Sequence, residues 1–265
     1  MSQNKNSSGG RPKKPFKKKA PILSTSDVNG TRLNKFIAHA GICSRREADV
    51  YIASGNVKVN GKIVTEMGFK VQEGDEVRFD DRKITQETLR YVLLNKPKNY
   101  ISTVDDDRGR KTVMELIYTA AKERLYPVGR LDRNTTGLLL FTNDGDLAKK
   151  LTHPKHNIRK LYQVTLDKKL SMNHLKEVAD EGFKIENKRV FVDAISYIDN
   201  QPKNIIGIEI HSGRNRIIRK IFESLGYNVI KLDRAVFAEL TKKDLPRGRW
   251  RHLTKLEVLN LKKMR

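Results

Sequence analysis

Residues Gly129–Gly145 read GRLDRNTTGLLLFTNDG. A polar turn runs straight into an apolar strand and out into a second turn, the signature of a strand built into a core. One acid, Asp132, stands at the mouth of that strand, near Arg130 and Arg133. On one reading its carboxylate accepts local backbone N–H groups as an Asx turn. On the other, a Gly/Asn/Thr turn between apolar strands displays the side chain into a cleft. The residues by themselves leave both open. The tripeptide Leu-Asp-Arg recurs at 232–234, so an acid beside an arginine is not a specific signal. Asp233, set between NVIKL and more apolar sequence, is expected to pair with a basic neighbour.

Around this stretch, YVLLNKP, LYPVGRL, KLYQVTL, RVFVDAISYI and NIIGIEIHSG read as strands, and TVMELI, DLAKKL, SMNHLKEVADEG and NRIIRKIFESLG as helices. Several strands follow one another without a helix, which favours an α+β fold with antiparallel or mixed pairing. In SGRNRIIRKIFESLG a helix buries Ile217, Ile218, Ile221, Phe222 and Leu225 and leaves Arg216, Arg219, Lys220 and Glu223 on or near the other face. Cations crowd the start of that helix against its dipole, so an anion is expected there, a phosphate or a carboxylate.

Upstream, residues 31–88 have the pattern of a small α/β module. TRLNKFIAHAG is one helix ended by Gly41. Ser44 and Glu47 form a capping box opening a second, closed by Gly55. VKVNGKIV then reads as a hairpin turned on Asn60-Gly61, with GDEVRF a further strand. Arg45 and Arg46 sit in the first turn of the second helix, again against the dipole. With Arg32, Lys35, Lys58 and Lys62 they outline a phosphate-binding face. The same charges also suit an ordinary solvated basic face. DRKITQETLR, 81–90, is the expected hinge to a larger domain, 89–265.

The chain has 265 residues and a net charge of +23, a statement about polyanionic partners rather than about fold. Residues 1–28 carry seven of those cations among Ser, Gly, Asn and Pro. They cannot offset their ordering entropy by burial and are expected to be a disordered basic tail. The seven are a minority of the excess, so the folded part is basic too. No apolar run approaches the ~20 residues of a membrane helix, and the single cysteine, Cys43, allows no intrachain disulfide. These features predict a cytoplasmic protein without a membrane partner.

No G-x-x-x-x-G-K-[ST] or G-x-G-x-x-G run supports a nucleotide cofactor. His153 and His156 lack a second ligand pair and read as loop histidines rather than a zinc site. Asp105, Asp106 and Asp107 could hold Mg²⁺ for a nuclease, but no further acids converge on them, and a solvated acidic loop is expected.

RLNKFIAHAGICSRREADVYIASGNVKVNGKIV closely resembles the S4-type RNA-binding domain, a helix-helix-strand module. GRLDRNTTGLLLFTNDG, KLYQV (160–164) and SGRNRIIRK resemble the RsuA/RluB family of ribosomal RNA pseudouridine synthases, most of all the RluB type. LLNKPKNYISTVDDDRGRKTVMELI, 93–117, is similar to that family's opening strand, loop and helix. Ile217 departs from it, standing where many members have Gln.

The resemblance implies a catalytic domain with a central mixed, largely antiparallel sheet flanked by helices. It implies an isomerase that detaches a uridine base at N1, rotates it and rejoins it through C5, with ribosomal RNA or a pre-ribosomal particle as partner and no cofactor or metal. Asp132 matches the catalytic aspartate and Tyr162 the tyrosine stacking near the base. Arg219 matches the basic residue paired with the aspartate, and Ile218 the apolar residue beside the site. Arg130, Arg214, Asn215, Arg216 and Lys220 are expected on the RNA, and the protein is expected to act as a monomer. A reference Asp, of pKa ~3.9, is ionised at neutral pH. It can serve as nucleophile or base through an acylal, addition at C6 or a glycal. A non-catalytic RNA-binding or ribosome-assembly factor on the same fold is the competing expectation.

Overall fold

A computed structural model describes residues 30–180, 183–185 and 188–264. The basic tail lies outside the described residues. The chain clusters into two compact units: residues up to Ile37 with Ser44–Ile84, and Ala38–Cys43 with Thr85 onward.

The first unit opens on β1 (Thr31–Arg32), α1 (Leu33–His39) and α2 (Arg45–Ala53). The capping box at α2 is formed: Ser44 Oγ accepts the Glu47 N–H at 3.3 Å, and the Glu47 carboxylate accepts the Ser44 N–H at 2.6 Å. Strands β2 (Val57–Val59), β3 (Lys62–Ile63), β4 (Lys70–Val71), β5 (Val77–Phe79) and β6 (Arg82–Lys83) follow. β3-β2-β5-β6 form an antiparallel sheet, and β1 pairs with β4. Asn60 and Gly61 both take positive φ, 50° and 78°, the geometry that makes Asn-Gly the preferred hairpin turn. Arg82 and Lys83 belong to this sheet, so the segment read as a hinge narrows to the residues after Ile84.

The second unit is built on one sheet. Its elements are β7 (Tyr91–Lys96), α3 (Met114–Ile117), β8 (Tyr126–Pro127), β9 (Thr136–Thr142), α4 (Gly145–Thr152), β10 (Lys160–Leu166), α5 (Met172–Ala179), the short pair β11 (Lys184–Ile185) and β12 (Lys188–Arg189), β13 (Ala194–Tyr197), β14 (Ile205–Ile210), α6 (Ile217–Ser224), β15 (Val229–Phe237), β16 (Leu240–Thr241), β17 (Trp250–His252) and α7 (Lys255–Lys263). The order is β13-β14-β10-β15-β9-β7-β17. Of these pairings only β15–β9 is parallel. The fold is α+β around a mixed, largely antiparallel sheet.

The continuous apolar runs in β7 and β9 follow from burial on both faces. Alternate residues go to opposite sides. Val92, Leu94, Leu139 and Phe141 join α3, α5 and α6 on one face. Leu93, Leu138 and Leu140 join α4 and α7 on the other. α6 starts at Ile217, later than helical spacing from Asn215 suggests: Arg216, with φ 49° and ψ 28°, breaks the helix and sits at its N-cap. LYPVGRL contributes only a two-residue strand.

The parallel β9–β15 join sets strict local demands. Gly137 has φ +106°, and a Cβ there would lie 2.3 Å from the Arg234 carbonyl oxygen and 2.5 Å from its nitrogen. Only glycine lets the strands approach so closely. Beside it, buried Asp233 accepts from Thr136 Oγ1 at 2.6 Å and is ion-paired with Arg247 at 2.7 Å and with Lys242. Burial works to raise its pKa, but the bonds from Lys242, Thr136 and Arg247 prevail and hold it below the ordinary carboxylate value. Asp233→Asn leaves two cations short of a partner and should destabilise the protein by about 3 kcal/mol, measured by urea unfolding.

Candidate active site

A cavity of about 680 Å³ opens in the second unit, a volume in the ordinary range for ligand sites. Its walls are the turn at 129–135, the loop at 101–110, the start of β10, the 210–218 segment and part of β15.

Asp132 stands exposed on the cavity wall. Its turn is closed by backbone, the Thr135 N–H donating to the Asp132 carbonyl at 3.0 Å. The side chain is not needed to close it: among the described residues no hydrogen bond or ion pair closes on the Asp132 carboxylate. The Asx-turn reading is therefore set aside.

What holds the turn is a lysine beneath it. Lys96, at the end of β7, is fully buried, and its three Nζ N–H groups are shared among four carbonyls: Pro97 at 3.1 Å, Asp132 at 3.1 Å, Arg133 at 3.3 Å and Thr135 at 2.9 Å. Burial pushes its pKa down to about 8; the Asp132 charge opposes the fall and Arg247 adds to it. Ser102 clamps the preceding residue, its Oγ donating to the Leu131 carbonyl at 2.9 Å and accepting the Leu131 N–H at 3.2 Å. The Asn99 N–H reaches the Arg133 carbonyl at 2.9 Å. With its backbone carbonyls engaged from behind, the turn presents its carboxylate forward.

Tyr162 faces the same cavity from β10, opposite Ile208 on one side and Arg234 on the other. Buried Ile218, and Arg130, Arg214, Asn215 and Arg216, line it too. Arg214 Nη1 is tied to the Arg189 carbonyl at 3.1 Å, and Arg216 pairs with Glu223 at 3.5 Å. Arg219 and Lys220, at the end of the first turn of α6, are not on the cavity wall. The direct Asp132–Arg219 ion pair implied by the resemblance is not closed; Arg219 Nη1 donates instead to the Val229 carbonyl at 2.8 Å. Burial lowers the Arg219 pKa, Arg216 adds to that, and the charges of Asp132 and Glu223 counter it. The carboxylate thus acts on Arg219 through its field.

In the first unit, Arg32, Arg45, Arg46 and Lys62 are exposed, and Lys35 and Lys58 half-buried. Lys58 is committed to Asp81 at 2.6 Å, which weakens its claim to a phosphate. The acidic loop is more than a solvated run. Asp105, Asp106 and Asp107 line the cavity, and Arg110 beside Asp106, at 2.6 Å, holds that carboxyl at about 2.

Lys96, Ser102, Lys160 and Arg234 escaped the sequence reading. The one available signal was a lysine ending the apolar run YVLLNK directly before a proline.

A pinned carboxylate and a tyrosine lining one basic cavity, in a chain that also carries a small helix-helix-strand unit, are what an RNA-modifying enzyme with an appended binding domain needs. Comparison with known proteins agrees. The sequence model of the RNA pseudouridylate synthase family matches residues 90–224, and that of the S4 domain residues 31–77. Ribosomal large subunit pseudouridine synthase B of Bacillus subtilis is 43% identical over 234 residues, 87% of this chain and 95% of its own. Dual-specificity RNA pseudouridine synthase RluF of Escherichia coli is 35% identical, across 89% of this chain and 80% of its own. A crystal structure of a pseudouridylate synthase superposes with a TM-score of 0.62 at 31% identity, covering 88% of this chain and all of that one. The chain belongs to the RNA pseudouridine synthase family. It is an enzyme that isomerises uridine in RNA, and the non-catalytic alternative finds no support.

Lys96→Met removes the ammonium that ties four carbonyls together. We expect a loss of about 1–3 kcal/mol in stability, together with a fall in turnover larger than in RNA affinity. Unfolding curves and single-turnover rates check both.

Proposed function

We propose that the chain converts a specific uridine of large-subunit (23S) ribosomal RNA to pseudouridine, with Asp132 as the catalytic carboxylate. The observation that supports this reading is the Asp132 side chain, without a hydrogen bond or ion pair among the described residues, on a turn braced by Lys96 and in the same cavity as Tyr162. A carboxylate without a partner in a basic surround is available for chemistry. The large-subunit target rests on likeness to the relatives above.

Uridine in folded RNA must be flipped out, at a cost of a few kcal/mol, before its C1′ can be reached. Stacking on an aromatic ring offsets about 1–3 kcal/mol of this. Tyr162 supplies the ring, Ile218 the apolar wall, and Arg130 a cation at the cavity mouth suited to the vacated position or the flanking phosphates. Arg214, Asn215 and Arg216 suit the backbone on either side. Arg219 keeps positive potential near Asp132, and Lys220 adds charge on the same helix. No step in this scheme calls on a metal or cofactor.

The 31–88 segment, as an S4-type domain, would grip structured RNA through Arg32, Lys35, Arg45, Arg46 and Lys62, with Lys58 contributing once released from Asp81. Residues 89–265 form the catalytic domain, and residues 1–28 an arm for non-specific phosphate contacts. We take the protein to act as a monomer in the cytoplasm. Among the described residues no helix is long and apolar enough to cross a membrane.

Asp132→Asn should abolish pseudouridine formation while RNA affinity stays nearly unchanged; retained activity would sink the assignment. Pseudouridine maps of rRNA from cells with and without the gene should differ at a 23S uridine. A difference confined to small-subunit rRNA would overturn the proposed substrate. Deleting residues 1–28 should flatten the dependence of RNA affinity on salt, and an unchanged slope would count against the arm.

A further inference from the structure

Two cations that line the cavity have no task in the scheme above. Arg234 lies opposite Tyr162 across the β10–β15 pairing, and Lys160 precedes Tyr162 by two residues, on the same face of β10. Both line the cavity. Arg234 is 3% exposed. Its Nε donates to the Leu138 carbonyl at 2.7 Å, and its guanidinium carbon sits 4.6 Å from the centre of the Phe237 ring. Its Nη2 is buried without a hydrogen-bond partner among the described residues. Lys160 Nζ spends one bond on the His211 carbonyl, at 2.7 Å.

A buried guanidinium beside a half-buried ammonium ordinarily shares a carboxylate. Here, among the described residues, no carboxylate lies within ion-pair distance of either. Asp233, next in sequence to Arg234, is taken by Lys242, Arg247 and Thr136. Asp193, whose charge reaches Lys160, is bonded to His211 at 2.8 Å. Burial pushes the Lys160 pKa down to about 8, and the Arg234 charge adds to the fall. Such a pair is held ready for an anion that arrives from outside.

The chemistry of the site produces one. When the C1′–N1 bond of uridine breaks, its electron pair leaves with the base, and the negative charge spreads over N1, O2 and O4. Asp132 balances the sugar, either by forming a bond to C1′ or by accepting the 2′ proton. C5 then joins C1′, displacing the carboxylate or taking the sugar as its proton returns. The hydrogen on C5 leaves as a proton and N1 gains one, so the sum is an isomerisation.

We propose that Lys160 and Arg234 form an anion subsite that holds the detached uracil anion while it turns from N1 to C5. Lys160 donates an N–H to a base oxygen. Arg234, enclosed in low dielectric, acts through its undiminished charge. The subsite serves the leaving group, whereas Asp132 serves the sugar, so the two divide the charge that develops when the bond breaks. This inference rests on the reaction assigned above.

Full-length protein with Lys160→Met is compared with wild type and Lys160→Arg, using the rRNA segment whose modification is lost with the gene. The single-turnover rate constant should fall on the order of 100-fold in Lys160→Met while the RNA dissociation constant stays within about 3-fold, and Lys160→Arg should recover most of the rate. The discriminating substrate carries 5-fluorouridine at the target. Fluorine withdraws electrons and makes the base a better anion, so the Lys160→Met deficit in N1–C1′ cleavage should shrink several-fold. An unchanged rate, an equal deficit on both substrates, or a loss wholly in RNA affinity each overturns the proposal. If wild type forms no pseudouridine in that segment, the assigned reaction itself fails.

Discussion

The buried ammonium of Lys96 is the contact on which the site depends. Taking a lysine out of water costs several kcal/mol, and among the described residues no carboxylate is ion-paired with it in return. Four carbonyl oxygens, three of them from the Asp132–Thr135 turn, replace its hydration shell. Those carbonyls would otherwise turn toward water or toward neighbouring N–H groups. Gathered on one cation, they fix the backbone of a tight turn whose other face carries the carboxylate. The side chain is free because its backbone is bound.

That turn is also the entrance to β9, and β9 is the strand where the sheet changes sense. The parallel join of β9 to β15 requires Gly137 against the backbone of Arg234 and places Asp233 against Thr136. Successive side chains point to opposite faces of a strand. Asp233 can therefore close a network with Lys242 and Arg247 while its neighbour Arg234 lines the cavity. Two Leu-Asp-Arg tripeptides in one chain thus do opposite work. In one the acid is exposed and, among the described residues, unpaired; in the other it is buried and bonded to Thr136, Lys242 and Arg247, and the following arginine lines the cavity.

Charge is distributed in the same divided manner. Arg130, Arg214 and Arg216 ring the mouth in solvent, where they attract a polyanion but are screened by salt. Lys160 and Arg234 lie deeper, where a charge acts with less screening. Asp106 is neutralised locally by Arg110, whereas Asp105 and Asp107 leave negative charge on the same wall of the cavity.

The sequence by itself determined the α+β class, the Asn-Gly hairpin, the Ser44 capping box and the strands around Asp132, because these rest on local periodicity, turn chemistry and caps. It also carried the motifs that mark the family, and it singled out Asp132, Tyr162 and Ile218, which share one cavity. The context of Asp233 pointed to a basic partner, and it has two, but their identity was not legible from spacing, since Lys242 and Arg247 come from outside the tripeptide. The start of α6 was misjudged because a left-handed Arg216 leaves no mark in hydrophobic spacing. Lys96, Lys160 and Arg234 became functional candidates only once strands distant in sequence were laid side by side. Burial and the lack of a partner are properties of that assembly, and no short stretch of chain can encode them.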